Sequence, residues 1–123
     1  MLRAVYEGVV FSHKSHVDRL LCHRDKPQAA RIAGGAARSE VWVQMFADIL
    51  QLPIELTACE ELGAMGAAIC AGVGVGLFGS FEQAVEAMVR VSRTVEPRKE
   101  NLQVYCDKYG RYARHIEALR AAW

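Results

Sequence analysis

The apolar and polar positions of this chain alternate with a helical period over most of its length, broken by two short extended runs. Leu2, Val5, Tyr6, Val9, Val17, Leu20 and Leu21 share one face, with Arg3, Glu7, Lys14 and Asp18 opposite, which predicts a helix from about Leu2 to Cys22. Gly8 inside it costs about 1 kcal/mol relative to Ala, so close packing against a neighbour is its expected use. Arg24-Asp25-Lys26-Pro27 reads as the connection out of the helix, and Gln28 to Ala33 as a short buried strand. The chain then turns at Gly34-Gly35 and enters a second helix. Val41, Trp42, Met45, Phe46, Ile49 and Leu50 form its apolar face, and Glu40, Gln44, Asp48 and Gln51 the polar one. Ser39 stands at the N-cap position, its hydroxyl able to accept from the free amides of the first turn. Pro53 introduces a second strand, Ile54 to Thr57. Two strands joined by one crossover helix should be parallel, which places Gly34-Gly35 at the carboxyl end of its strand.

The second half is more ambiguous. Leu62 to Phe78 carries no charge, and Gly72-x-x-x-Gly76 matches a transmembrane dimerisation motif. The run falls short of the ~20 apolar residues needed to span a bilayer and is rich in Gly and Ala. A helix packed tightly against the sheet, or against a phosphate-binding edge, is the expectation. Glu60 and Glu61 precede it, suited to the N-terminus of a helix as capping and solvation. Ser80-Phe81-Glu82-Gln83 has the spacing of a capping box and starts a short helix to about Met88. Val91 to Pro97 reads as an irregular or extended connection. A last helix runs from about Arg98 to Ala121, with Leu102, Tyr105, Tyr109, Tyr112, Ile116, Leu119 and Trp123 three and four apart. That seam has coiled-coil spacing, but its flanks lack complementary charges, so docking on its own domain is expected.

At 123 residues and a formal charge of +1, the chain is one domain or part of one, without the basic surplus that nucleic acid or an anionic membrane would ask for. Cys22, Cys59, Cys70 and Cys106 are scattered, as buried or incidental thiols are in a reducing compartment, and MLRAVYEGVV has no secretory pattern. A cytoplasmic protein is the expectation. His13 and His16 lie one turn apart but supply at most half a metal site, so no metal ligand is assigned. No P-loop lysine motif, Ser/His/Asp order or nucleic-acid module is evident. A strand, a glycine turn and a helix N-terminus together make a place where backbone can approach a phosphate. On local pattern alone, a plain αL turn is the better reading of Gly34-Gly35.

Gly34-Gly-Ala-Ala-Arg-Ser39, followed by Trp42, Gln44, Ala47-Asp48 and Leu52-Pro53-Ile54, resembles the second domain of the FGGY carbohydrate kinases. Glu61-Leu-Gly-Ala-Met-Gly-Ala-Ala and the upstream Arg3-Ala-Val-Tyr-Glu-Gly8 match further motifs of that family, in order, so the resemblance covers nearly the whole chain. Pentulose kinases look most similar. The resemblance implies an α/β fold: a partial actin-like, ribonuclease H-like domain with parallel strands, packed helices and a long C-terminal helix. Residues 1–123 would be the C-terminal portion of the nucleotide-binding second domain, without the N-terminal domain that binds sugar and carries the catalytic aspartate. The implied activity is transfer of the γ-phosphoryl group of ATP, with Mg²⁺, to a sugar hydroxyl, here of a pentulose. Gly34 and Gly35 match the backbone pair that approaches the ATP phosphates and ribose, and Ser39 the position near adenine, often Asn in relatives. Gly35 should then need a bare backbone, with φ > 0 as a further reason. No residue here matches the catalytic base, so the chain should bind nucleotide, lack activity alone and self-associate through uncovered surface. The alternative is a non-catalytic interaction or oligomerisation module that uses the aromatic terminal helix.

Overall fold

The computed structural model describes residues 1–59 and 61–120. Its elements are α1 (Leu2–Leu21), β1 (Ala30–Ile32), a 3-10 turn (Gly35–Arg38), α2 (Glu40–Leu50), β2 (Ile54–Thr57), α3 (Leu62–Gly74), α4 (Phe81–Met88), β3 (Val91–Val95), a second 3-10 turn (Lys99–Asn101) and α5 (Leu102–Arg120). The expectations placed on Glu60, Ala121 and Trp123 lie outside the described residues.

The three strands form one sheet in the order β1-β2-β3. β1 and β2 are parallel, with Arg31 opposite Glu55, and the two side chains pair at 2.7 Å across the sheet surface. β3 is the segment read as an irregular or extended connection, and it runs antiparallel to β2. The expectation of parallel strands therefore holds for the first pair only. A register shift beside Leu56 leaves Ser92 as the extra residue, and its hydroxyl donates to the Leu56 carbonyl at 3.0 Å.

α2 is the centre of the core. It touches α1, α5, β2 and β3, so Val43 and the unbroken run Met45, Phe46, Ala47, Asp48 and Ile49 are buried. An amphipathic reading fails on such a helix. Val41, assigned to the apolar face, is 67% exposed, whereas Asp48, assigned to the polar face, is 2% exposed. Gln51 ends the helix in the left-handed region at φ 54, and its side chain donates to the Asp48 carbonyl.

α1 and α5 pack beside α2, α1 through a different face from the one its pattern suggests and α5 through the tyrosines of its expected seam. On α1 the buried residues are Glu7, Val10 and Phe11, while Leu2, Val5, Val9 and Leu20 face outward. Gly8 meets no neighbour, so the expected close packing there is absent. On α5, Tyr105 is buried, and Tyr109 and Tyr112 lie 5.7 and 5.5 Å from the Phe11 ring. This is the docked terminal helix expected, and the aromatic face offered to a partner in the alternative reading is used internally. Ile116 and Leu119, expected to extend that face, are about half exposed. The reason is that α1 and α2 cover only the first turns of α5.

α3 packs on α4 rather than tightly against the sheet, and only Ile69 and Gly72 are buried. Gly72 has a local reason: a Cβ there would lie 2.9 Å from the Phe78 ring, which folds back as Leu77 and Phe78 N–H close on the Gly72 carbonyl. Among the described residues no helix is long and apolar enough to cross a membrane. Ser80 caps α4 as expected: Oγ accepts from the Gln83 amide at 3.2 Å and Gln83 Oε1 accepts from Gly79 N–H. All four cysteines are free, three exposed and Cys59 half-buried.

Candidate functional site

Because β1 and β2 are parallel, their carboxyl ends open on the same side of the sheet, the usual ligand side of an open α/β unit. A cavity of about 530 Å³ lies there. Ala33 and Gly34 wall it after β1, Thr57 at the end of β2 and Cys59 beyond it, Ala37 and Arg38 from the 3-10 turn, and Ser92 and Arg93 from β3. Gly34 adopts φ 76, ψ −156, a conformation that is essentially restricted to glycine. The positive φ expected at Gly35 therefore belongs to Gly34. Gly35 begins the 3-10 turn without a positive φ, and a Cβ on it would meet nothing within 4 Å. The fold itself thus explains Gly34, but neither backbone strain nor packing among the described residues explains Gly35.

A 3-10 turn separates the glycines from α2, so Ser39 sits one turn beyond them. Its Oγ accepts from the Trp42 N–H at 3.3 Å, the N-cap expected. Ser39 is exposed and does not line the cavity; of the three nucleotide contacts implied by the resemblance, only Gly34 does. Glu40, in the first turn of α2, accepts from Arg93 Nη1 at 2.9 Å, linking that turn to β3.

A second cavity of about 340 Å³ runs along α2, lined by Gln44, Asp48, Arg98 and Asn101, with Arg93 bordering both. Here the buried Asp48 carboxylate is fully engaged. Oδ1 accepts from Gln44 Nε2 at 2.8 Å and from the Arg98 amide at 2.7 Å, and Oδ2 accepts from Asn101 Nδ2 at 2.7 Å. The sequence pattern missed this bridge, as it missed Arg38, Ser92 and Arg93 at the first cavity. The β-branched Val91, Thr94 and Val95 were the available signal for β3. His13, His16 and His23 are exposed, and among the described residues no group of three or more His, Cys, Asp or Glu side chains is placed to hold a metal.

Residues 1–75 match the C-terminal domain of the FGGY family of carbohydrate kinases. Over 98% of its length the chain is 42% identical to the L-xylulose/3-keto-L-gulonate kinase of Escherichia coli, of which it spans 24%. It is 39% identical, with the same coverage of 98% and 24%, to a probable L-xylulose kinase of Haemophilus influenzae. Among solved structures, the xylulose kinase of Rhodospirillum rubrum superposes with a TM-score of 0.80 at 31% identity, covering 97% of this chain and 24% of that one. The xylulose kinase of Lactobacillus acidophilus reaches a TM-score of 0.89 at 24% identity, covering 98% and 24%, a likeness of fold. The order of motifs from Arg3 to Ala68, the parallel β1-α2-β2 unit and the family match over residues 1–75 agree, and the chain belongs to the FGGY family of carbohydrate kinases.

Proposed function

We propose that this chain is the C-terminal part of the nucleotide-binding domain of an ATP-dependent carbohydrate kinase, with a pentulose as acceptor. One observation carries the reading: Gly34 lines the cavity at the carboxyl end of β1, and the adjoining Gly35 has open space where a Cβ would stand and no positive φ to require a glycine. A ligand pressed against that backbone supplies the requirement. Gly34 and Gly35 are assigned to the phosphate and ribose side of ATP, and Ser39, one turn on, to the base side. Mg²⁺ enters with the triphosphate, whose oxygens are its ordinary ligands. The sugar and the general base belong to the opposite wall of the cleft, outside this chain. Phosphoryl transfer needs groups on both walls, so the chain alone binds nucleotide weakly and phosphorylates no sugar. A cytoplasmic location and self-association through uncovered surface belong to the same reading.

The test is Gly35→Val, followed by calorimetric titration with ATP and ADP and by thermal denaturation. Substitution at an unstrained, open position should leave the melting temperature within a few degrees, while nucleotide affinity falls below detection. Unchanged affinity would make the glycine turn merely structural. Sugar phosphorylation by the purified chain would equally sink the reading, because its catalytic base would then have to lie here.

A further inference from the structure

We propose that Asp48 is a positioning residue for the nucleotide wall: it fastens α2 to the segment leading from β3 into α5. It thereby sets the spacing between the Gly34-Gly35 turn and β3. The functional half of this inference rests on the nucleotide reading above. The structural half rests on geometry alone.

Asp48 is 2% exposed, and the hydrogen bonds it accepts come from neutral amides. Its three donors are the side-chain amides of Gln44 and Asn101 and the backbone amide of Arg98. Hydrogen bonds to a carboxylate are roughly twice as strong as neutral ones, and a backbone donor fixes the position of the chain itself. Gln44 Nε2 also donates to the Glu96 carbonyl at 2.9 Å, so the network grips the chain on both sides of Pro97. That segment directly continues β3, whose Ser92 and Arg93 wall the larger cavity. The other side of the same cavity is the turn that leads into α2.

A second tie joins the same two elements nearer the cavity, the Arg93–Glu40 pair. Its Glu40 side chain is 82% exposed, and such a pair contributes little by itself. The buried carboxylate is therefore the stronger of these two polar connections between α2 and the β3 segment. Asparagine cannot replace it. An amide offers one acceptor oxygen and places an NH₂ group against donors, leaving buried N–H groups unpaired.

Asp48→Asn and Asn101→Ala separate this role from general stability when compared with Tyr112→Leu, which loosens the α1/α5 aromatic contact and leaves the bridge intact. Asn101→Ala removes one donor at the half-buried end, and it carries the test if Asp48→Asn does not fold. Amide hydrogen exchange should accelerate in both 34–39 and 91–95 in the two bridge variants and in neither segment of Tyr112→Leu. ATP affinity of the 123-residue chain should fall about tenfold or more in the bridge variants, as misplacement of supporting groups does. Faster exchange confined to α2 and 98–102, with ATP affinity retained, would overturn the inference. So would an equal affinity loss in Tyr112→Leu. If the unmodified chain binds no ATP, the nucleotide reading falls separately, and the exchange pattern still decides whether Asp48 positions the two segments.

Discussion

Glu7 shows how a single side chain can be half legible. Its spacing from Arg3 is that of an i,i+4 helical pair, and the two do bond at 2.9 Å. The second partner, Lys108, comes from the far end of the chain and donates to both carboxylate oxygens at 2.8 and 2.9 Å. No local pattern announces a contact across that separation, which is why Glu7 read as a surface residue. Burial by itself would push its carboxyl above the ordinary range, but the hydrogen bonds and charges of Lys108 and Arg3 together outweigh it and hold it below. A depressed carboxyl stabilises the folded state above its unfolded pKa, and the contribution disappears as pH falls through the folded value. Glu7→Gln should therefore lower stability at pH 7 by about 1.5–3 kcal/mol, the range for hydrogen bonds to charged groups. The difference between the two proteins should shrink as the pH is taken below 4. Urea denaturation at both pH values measures it, and a penalty independent of pH would show that charge is not what the site uses.

At the scale of elements, an uncharged run marked α3 and a capping box α4, while periodicity located α1, α2 and α5. It did not say which face each helix buries. α1 carries an apolar stripe at Leu2, Val5 and Val9 that points away from the core, because the α2 contact falls on Val10 and Phe11. α2 is enclosed on several sides, so polarity no longer marks its outside and Asp48 could be placed only by seeing its partners. β3 was obscured because its residues are mostly exposed and it sits at an edge, where burial imposes no clear alternation. The glycine turn was the most legible part of the candidate site, since Gly34-Gly35 follows directly on an extended run. The division of labour between the two glycines was not legible, because it depends on φ. The docking of α5 gives a direct comparison. Phe11→Ala removes the ring that three tyrosines surround and should cost about 3–5 kcal/mol. Ile116→Ala, on the seam that the heptad spacing marks as buried, should change stability by no more than about 0.5 kcal/mol, as exposed substitutions do. Equal losses in chemical denaturation would mean that the later turns of α5 are covered after all.

For the molecule as a whole, the notable feature is how much apolar surface stands uncovered in addition to an open sheet edge. Leu2 and Val5 on α1 are 69% and 64% exposed, and Val41 at the start of α2 is 67% exposed. On the α3 side, Val75 and Leu77 are 81% and 72% exposed. β1 is an edge strand, paired on one side only with β2. Single exposed hydrophobic residues are ordinary, but a row along one helix together with an unpaired strand edge favours association. The chain spans 24% of the length of the L-xylulose kinases it matches, so in a longer protein such surface has further chain available to cover it. In isolation, the 123-residue chain should self-associate as concentration rises, with its sedimentation coefficient climbing rather than constant. Val5→Lys places a charge in the middle of the α1 row without touching the buried Glu7, Val10 and Phe11 face. It should shift the equilibrium toward monomer and leave the thermal midpoint of dilute protein unchanged. If Val5→Lys has no effect while association persists, the contact runs through the β1 edge or the α3 side. A well-behaved monomer across a wide concentration range would show that neither surface suffices to bring two chains together.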